Sequence, residues 1–210
     1  MPRSIEIPYA ESSNQSSSPE QASNSQLNFP LDPVSLSTLK TQLFIDSKEI
    51  FIPAEAMNPT TSTGCSSLTK VESAVNKVDY WVLDFDTTTS ESAFLTIRMP
   101  EDWNADGVFF EIVWTTASGL ATETVVWGVK GRCYSDDDAV DQAYGTEVNI
   151  TDTFLAQGDI HITQDSDPVT LSGNLIPGNW CQFRISRKTA SDNLTGDARL
   201  IGVRIKYRTI

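Results

Sequence analysis

Between residues 79 and 210 the chain alternates apolar and polar side chains with a period of two. Trp81, Leu83 and Phe85 alternate with Val82 and Asp84; Leu95, Ile97 and Met99 with Thr96 and Arg98; Phe110, Ile112 and Trp114 with Glu111 and Val113. Val125, Trp127 and Val129 follow, then Cys181, Phe183 and Ile185, and finally Ile201, Val203, Ile205 and Tyr207. Shorter runs lie at Val148 and Ile150, Ile160 and Ile162, and Val169 and Leu171. A period of two sends successive side chains to opposite faces of an extended strand, the pattern of antiparallel sheets with one face on a core. Turn dipeptides separate the runs: Asp106-Gly107, Ser118-Gly119, Gln157-Gly158, Ser172-Gly173, Pro177-Gly178 and Thr195-Gly196. Eight or nine short strands so punctuated predict an all-β protein, an antiparallel β-sandwich of jelly-roll-like type. No βαβ alternation, nucleotide-binding glycine loop or fixed-period repeat is present.

The remaining sequence divides into two parts, so that the expected organisation is an arm (1–27), a lead-in (28–78) and the sandwich (79–210). Residues 1–27 hold eight serines, three glutamines and two asparagines among few apolar residues. Such a stretch buries too little to offset its ordering entropy, and Pro2, Pro8 and Pro19 oppose a helix. It reads as a disordered or extended N-terminal arm, free or ordered on a partner. In the lead-in, Leu43-Phe44-Ile45 and Ile50-Phe51-Ile52 flank Asp46-Ser47-Lys48-Glu49 and predict a small hairpin. Leu68, Val71, Val75 and Val78 permit one short helix over 66–78; an irregular strand fits nearly as well.

Charge excludes more than it selects. The 210 residues carry 28 acidic and 15 basic side chains, for −13, which makes a poor binder of nucleic-acid phosphates. No run of 18 apolar residues spans a bilayer and no apolar signal core opens the chain, so neither membrane nor export is expected. Cys65, Cys133 and Cys181 are far apart and odd in number, which reads as reduced thiols and cytosolic assembly. Residues 79–167 carry −15 and residues 168–210 carry +5. This segregation is either internal balance between paired strands or a set of complementary surfaces between subunits.

Few constellations suggest chemistry. Asp102, Asn104 and Asp106 followed by Gly107 match the first half of a calcium loop, but position 113, where the closing glutamate belongs, is Val113. Asp136, Asp137 and Asp138 repel one another and want water or a cation. Calcium at these six residues is the one cofactor considered; a solvated turn is the plainer reading of each. Carboxylate pairs such as Asp84/Asp86 and Asp165/Asp167 do not stand out from a solvated edge. The lone His161 reads as a polar-face residue opposite Ile160 and Ile162, and Cys65 lacks a catalytic partner. No enzyme is expected. Trp81, Trp114 and Trp127 are assigned to the core. Trp103 and Trp180 stand in turns, where an indole stacks on a sugar, plugs a neighbour's pocket or closes the sandwich end. With Arg184, Arg187 and Arg204 of the basic C-terminal strands they are the interface candidates.

Several short stretches together resemble a β-sandwich domain recurring in virion proteins of tailed bacteriophages. They are Phe85-Asp86 with Glu91, Met99-Pro100-Glu101-Asp102-Trp103, Phe110 to Trp114, Val126-Trp127-Gly128, Phe183-Arg184-Ile185-Ser186-Arg187 and Leu200 to Tyr207, preceded by Phe51-Ile52-Pro53-Ala54 and Thr63-Gly64-Cys65. The resemblance implies a capsid decoration (cement) protein that binds the major capsid protein or other virion proteins. It further implies a homotrimer, located in the virion after assembly in the host cytoplasm, without catalytic residues. A tail or fibre receptor-binding module is the second expectation, and a carbohydrate-binding or hydrolytic β-sandwich the third.

Overall fold

The alternating runs become strands whose apolar sides face one another across a single core. A computed structural model describes residues 47–210. The arm at 1–27 and the first limb of the expected hairpin, Leu43 to Ile45, lie outside the described residues. In chain order the strands are β1 (Ser47–Pro53), β2 (Asn58–Pro59), β3 (Thr69–Glu72), β4 (Asp79–Phe85), β5 (Ser92–Arg98), β6 (Phe109–Thr115), β7 (Thr124–Tyr134), β8 (Val148–Thr153), β9 (His161–Ile162), β10 (Ser172–Gly173), β11 (Trp180–Arg187) and β12 (Ala198–Arg208). One 3-10 turn, Ala54–Ala56, follows β1. No helix among the described residues is long and apolar enough to cross a membrane.

The strands form two antiparallel sheets packed as a β-sandwich. Sheet A runs β3-β4-β12-β6-β9 and sheet B runs β10-β7-β11-β5-β2, the two-residue β10 alone joining its neighbour in parallel. Each sheet is built on one eleven-residue strand whose far edge is shared end to end. β12 pairs β6 on one side; on the other it pairs β4 through residues 198–200 and β1 through residues 202–208. β7 pairs β11 on one side, and β8 then β10 on the other. Residues 47–78 therefore place strands in both sheets rather than preceding them.

The core is aromatic across the sheet interface. Phe110 of sheet A meets Phe183 of sheet B edge-on at 5.2 Å between centroids, and Phe85 meets Trp127 at 5.2 Å and 84°. Leu83, Leu95, Ile112, Trp114, Ile185 and Val203 fill between them, all fully buried. Each such side chain contributes about 1.5–3 kcal/mol by leaving water.

Four local departures from the sequence pattern have identifiable causes. Residues 66–78 form strand β3 and a turn rather than a helix, because Thr69 to Glu72 pair with β4. Ile50 to Ile52 belong to β1, which pairs β12 over its whole length. In β12 a bulge sets Gly202 opposite Val113 where Leu200 stands opposite Trp114, so the inward positions switch from Ala198 and Leu200 to Val203, Ile205 and Tyr207. Ile201 is thereby turned out of the core. Around His161 the expected faces are inverted: Ile160 and Ile162 are exposed, and the buried imidazole stacks on Trp114 at 4.4 Å and 24°. An imidazole offers a flat apolar body to an indole, and that contact decides which face goes in.

The cysteines also differ from expectation. Cys133 and Cys181 stand directly opposite each other in β7 and β11 and form a disulfide, buried against the core. Such a bond belongs to an oxidising compartment, not to reduced assembly in a cytoplasm. Cys65 remains a buried free thiol, and burial, with the nearby Glu91 carboxylate, pushes its pKa up to about 12.

Candidate functional site

The two outer faces of the sandwich differ in how their charges are closed. On sheet A the basic strand β12 lies among acidic neighbours. Arg199 reaches Asp84 at 3.0 Å; Arg204 reaches Glu111 at 3.2 Å and Glu49 at 3.4 Å; Lys206 reaches Asp165 at 2.6 Å and Glu111 at 3.4 Å; Arg208 reaches Asp106 at 2.5 Å. The −15 and +5 segments are balanced here within one molecule. Arg204, an interface candidate from sequence, is thus engaged by two carboxylates of its own sheet.

Sheet B presents a different surface. The inward residues of β11 are Cys181, Phe183, Ile185 and Arg187, which leaves Trp180, Gln182, Arg184 and Ser186 outside. Register aligns three strands into rows. Trp180 lies between Arg98 of β5 and Tyr134 of β7; Gln182 between Thr96 and Arg132; Arg184 between Phe94 and Lys130. Trp180 is 42% exposed, and its ring lies 5.1 Å from that of Tyr134 at a 42° tilt. The Arg132 guanidinium sits 5.2 Å over the Tyr134 ring.

Short-range geometry delivers these groups. The Pro177-Gly178 turn precedes Trp180, and Gly178 has φ +81°, a conformation open to glycine; a Cβ there would meet the Glu101 carboxylate at 2.5 Å. Arg98 donates from Nε to the Gly178 carbonyl, holding the turn against β5. On the opposite edge, residues 143–147 run close along β7. Gly145 donates its N–H to the Gly131 carbonyl at 3.0 Å, and a Cβ on it would clash with the Thr170 carbonyl oxygen at 2.3 Å. That close approach folds Tyr144 over the face, where its hydroxyl bonds Gln182. Burial, and the neighbouring Tyr134, raise the Tyr144 pKa against the opposing effect of Arg184, so the phenol stays neutral.

Beyond the aromatic end the face deepens into a pocket of about 230 Å³, lined by Thr63, Lys130, Glu147, Arg184, Ser186 and Lys188. Glu147 holds Lys188 at 2.5 Å and Lys130 at 3.5 Å. Burial alone would raise the Glu147 carboxyl, but Lys188 and Lys130 outweigh it and hold the pKa below the usual carboxylate value. A larger cavity of about 420 Å³ opens on sheet A beside Val71, Tyr80, Thr116 and Arg199, with that arginine already closed on Asp84.

The residues singled out from sequence are scattered over the molecule. Trp103 is fully buried and donates its indole N–H to the Gly107 carbonyl at 3.1 Å, so it closes the sandwich end and offers no surface to a partner. Arg187 is likewise fully buried, clamping Asp192 at 2.9 Å and the carbonyls of Phe85, Leu194 and Gly196. Trp180 and Arg184 do lie on the sheet B face. Of the calcium candidates, Asp102 is taken by Lys48 at 2.5 Å, Asp106 by Arg208, and Asn104 caps the Asp106 N–H at 3.3 Å. Asp136, Asp137 and Asp138 are exposed in the loop after β7, with Asp138 accepting the Ser135 N–H at 2.8 Å. Among the described residues no group of three or more His, Cys, Asp and Glu side chains is placed to hold a metal. Trp81, assigned to the core from its alternation, is 39% exposed at the start of β4. Tyr134, Tyr144, Gln182 and Arg132 were not marked by sequence. Continuing the period of two past Val129, through Lys130, Arg132 and Tyr134 against Gly131 and Cys133, is the signal that finds two of them, Arg132 and Tyr134.

No protein-family model matches this chain, and no curated protein matches its sequence. Comparison of folds gives a different result. Among the solved structures, the likeness is to sugar-binding modules. One is a carbohydrate-binding module in complex with β-1,4-galactotriose, at 11% identity and a TM-score of 0.36, covering 81% of this chain and 93% of that one. Another is a family 30 carbohydrate-binding module of a cellulosomal cellulase of Clostridium thermocellum, at 14% identity and 0.42, covering 75% and 96%. A third is a family 11 module from Clostridium thermocellum in complex with a β-1,3-1,4-mixed-linked tetrasaccharide, at 9% identity and 0.41, covering 75% and 94%.

These matches correct the virion assignment. They are carbohydrate-binding modules rather than virion proteins, and the capsid decoration role, the major capsid protein as partner, the trimer and the virion location are withdrawn with it. The physical reason lies in the residues that carried the resemblance. Phe85, Met99, Trp103, Phe110, Trp114, Trp127, Phe183, Ile185, Arg187, Leu200 and Ile205 are all buried, so together they describe how a sandwich is filled and not what its surface meets.

Proposed function

We propose that this chain is a non-catalytic carbohydrate-binding β-sandwich that takes a glycan along the outer face of sheet B. The observation that carries this reading is the half-exposed Trp180 indole, set beside Tyr134 on a strand surface where Tyr144 bonds Gln182. Pyranose rings present apolar C–H faces that stack on aromatic rings, while their hydroxyls need donors and acceptors around the rim. Gln182, Arg98 and Arg184 supply such groups beside the rings. The outer residues of β11 extend from Trp180 to Ser186, roughly 20 Å at about 3.3 Å per residue, the length of a short oligosaccharide.

The platform is held from beneath. Cys181 follows Trp180 and Cys133 precedes Tyr134, so the disulfide ties together the two strands that bear the stacked pair. A platform fixed before binding loses little freedom when the sugar arrives. The same disulfide supports a protein that works outside a reducing cytoplasm.

The test is calorimetry and affinity electrophoresis of the full chain against β-1,4-galactotriose, the β-1,3-1,4-mixed-linked tetrasaccharide and a panel of soluble plant and bacterial polysaccharides. Binding to at least one glycan is expected. Trp180→Ala should weaken it by about 2 kcal/mol, roughly thirty-fold, as loss of a central aromatic anchor does. Trp81→Ala, an equally exposed indole on sheet A, should leave it unchanged. Binding lost in Trp81→Ala and kept in Trp180→Ala would move the site to the other sheet.

A further inference from the structure

We propose that the glycan taken on sheet B is anionic, and that its acid group sits between Arg184 and Lys130 in the pocket beside the aromatic platform. This rests on the carbohydrate-binding reading above and specifies its ligand class.

Charge closure points there. In a chain with nearly two acids for every base, the cations of β12 are each met by a carboxylate. On sheet B two arginines are not. Among the described residues Arg184 forms no ion pair, and its guanidinium reaches the Thr63 hydroxyl at 3.3 Å. Arg132 donates to the Ala143 carbonyl, Gln142 and the Ser172 hydroxyl, all neutral, and its buried Nε has no partner.

Register sharpens the point. Arg184 and Lys130 are direct cross-strand partners, and like charges placed opposite one another destabilise a sheet. Glu147 relieves part of this by holding Lys130 and Lys188, and is itself held in the ionised form by them. The pocket still carries three cations against one carboxylate, within a molecule of net charge −13. An incoming carboxylate or sulfate ester would accept hydrogen bonds from the Arg184 fork and complete the charge pattern that sheet A completes internally. Repulsion from the acidic remainder of the chain disfavours an anion elsewhere on the surface and confines the bound acid group to this pocket.

The two sources of such an acid group, a uronic acid and a sulfated sugar, share this chemistry and are separated by experiment. Binding is measured by calorimetry for an oligogalacturonide, its carboxyl-reduced counterpart, a sulfated galactan and polyglutamate, at about 50 and 500 mM salt. The expected result is at least ten-fold tighter binding of one acidic glycan than of the carboxyl-reduced chain, weakened by salt. Arg184→Gln should abolish that preference and Arg184→Lys should keep part of it, with melting temperatures within two degrees of the parent as a check on folding. A uronate-only or sulfate-only response assigns the source and supports the proposal. Equal binding of acidic and neutral chains, lost in Trp180→Ala but untouched by Arg184→Gln, overturns the anionic ligand and leaves the carbohydrate site standing. Polyglutamate binding as tightly as the glycans also overturns it. Failure of every sugar, acidic or neutral, removes the carbohydrate reading itself.

Discussion

Arg187 shows how one residue type takes unlike roles in a single strand. Arg184 and Arg187 differ by three positions in β11 and therefore face opposite sides of the sheet. Arg184 faces solvent, whereas Arg187 is 0% exposed and ties the 188–197 loop, through the Asp192 carboxylate and the Leu194 and Gly196 carbonyls, to the Phe85 carbonyl of β4. Arg187→Ala would leave Asp192 buried with an unpaired charge, at a cost of about 3–5 kcal/mol. Urea denaturation followed by tryptophan fluorescence measures this; a loss below 1 kcal/mol would show that water replaces the clamp. Cys65 gives a second prediction at this scale. With its pKa pushed up to about 12 it has almost no thiolate at pH 8, so iodoacetamide should label it only after unfolding. Rapid labelling of the native protein would place the thiol within reach of solvent.

At the scale of elements, the β7–β11 pair carries both the disulfide and the proposed site. The bond closes a sequence separation of 48 residues, and its removal in Cys133→Ser/Cys181→Ser should cost about 2–4 kcal/mol. Equilibrium unfolding with and without reductant checks this, and a matching loss from reductant alone is expected. Glycan affinity should also fall in the reduced protein, because the strands under Trp180 and Tyr134 are then joined by hydrogen bonds alone. This pair also shows how much of the site was legible beforehand. Trp180 stood out in its turn context and Arg184 in its basic strand. Tyr134 and Tyr144 did not, because they lie far from β11 in the chain; Tyr134 meets Trp180 only through register, and Tyr144 reaches Gln182 only through the fold of the loop after β7. Trp103, in an equally turn-like context, went inside because its indole N–H finds a buried carbonyl four residues on. A turn tells where a chain reverses, not which side of it the neighbouring strands will cover.

For the whole molecule the acidic excess sets the response to pH. Asp86 accepts from the Thr88 hydroxyl and the Thr88 and Thr89 N–H groups, and Glu123 from the Leu120 and Thr195 N–H groups and the Thr195 hydroxyl. These bonds lower both pKa values, and Lys48 lowers that of Asp102. A carboxyl that binds its proton more weakly folded than unfolded adds stability above its ordinary pKa and loses it as pH falls towards the folded value. Asp84 acts in the opposite sense, since burial raises its pKa despite Arg199. The balance predicts a melting temperature that holds near neutrality and falls below about pH 4.5, the ordinary value for Glu123. Glu123→Gln should lower stability at pH 7 and flatten that fall; an unchanged acid limb, measured by calorimetric scans from pH 7 to about pH 3, would remove Glu123 from the account.

The class of fold follows from the sequence alone, because a period of two and the turn residues between runs are local properties that each segment carries by itself. Trp127, Phe110 and Phe183 were readable as core for the same reason. Three things were decided only in three dimensions: which cysteines meet, which arginines find a carboxylate, and which aromatic rings share a face. Each depends on the order and register of strands distant in the chain, a property of the whole packed sandwich. The β12 bulge and the inward turn of His161 show the same limit at smaller size, where a partner strand or a stacking ring overrides the local pattern.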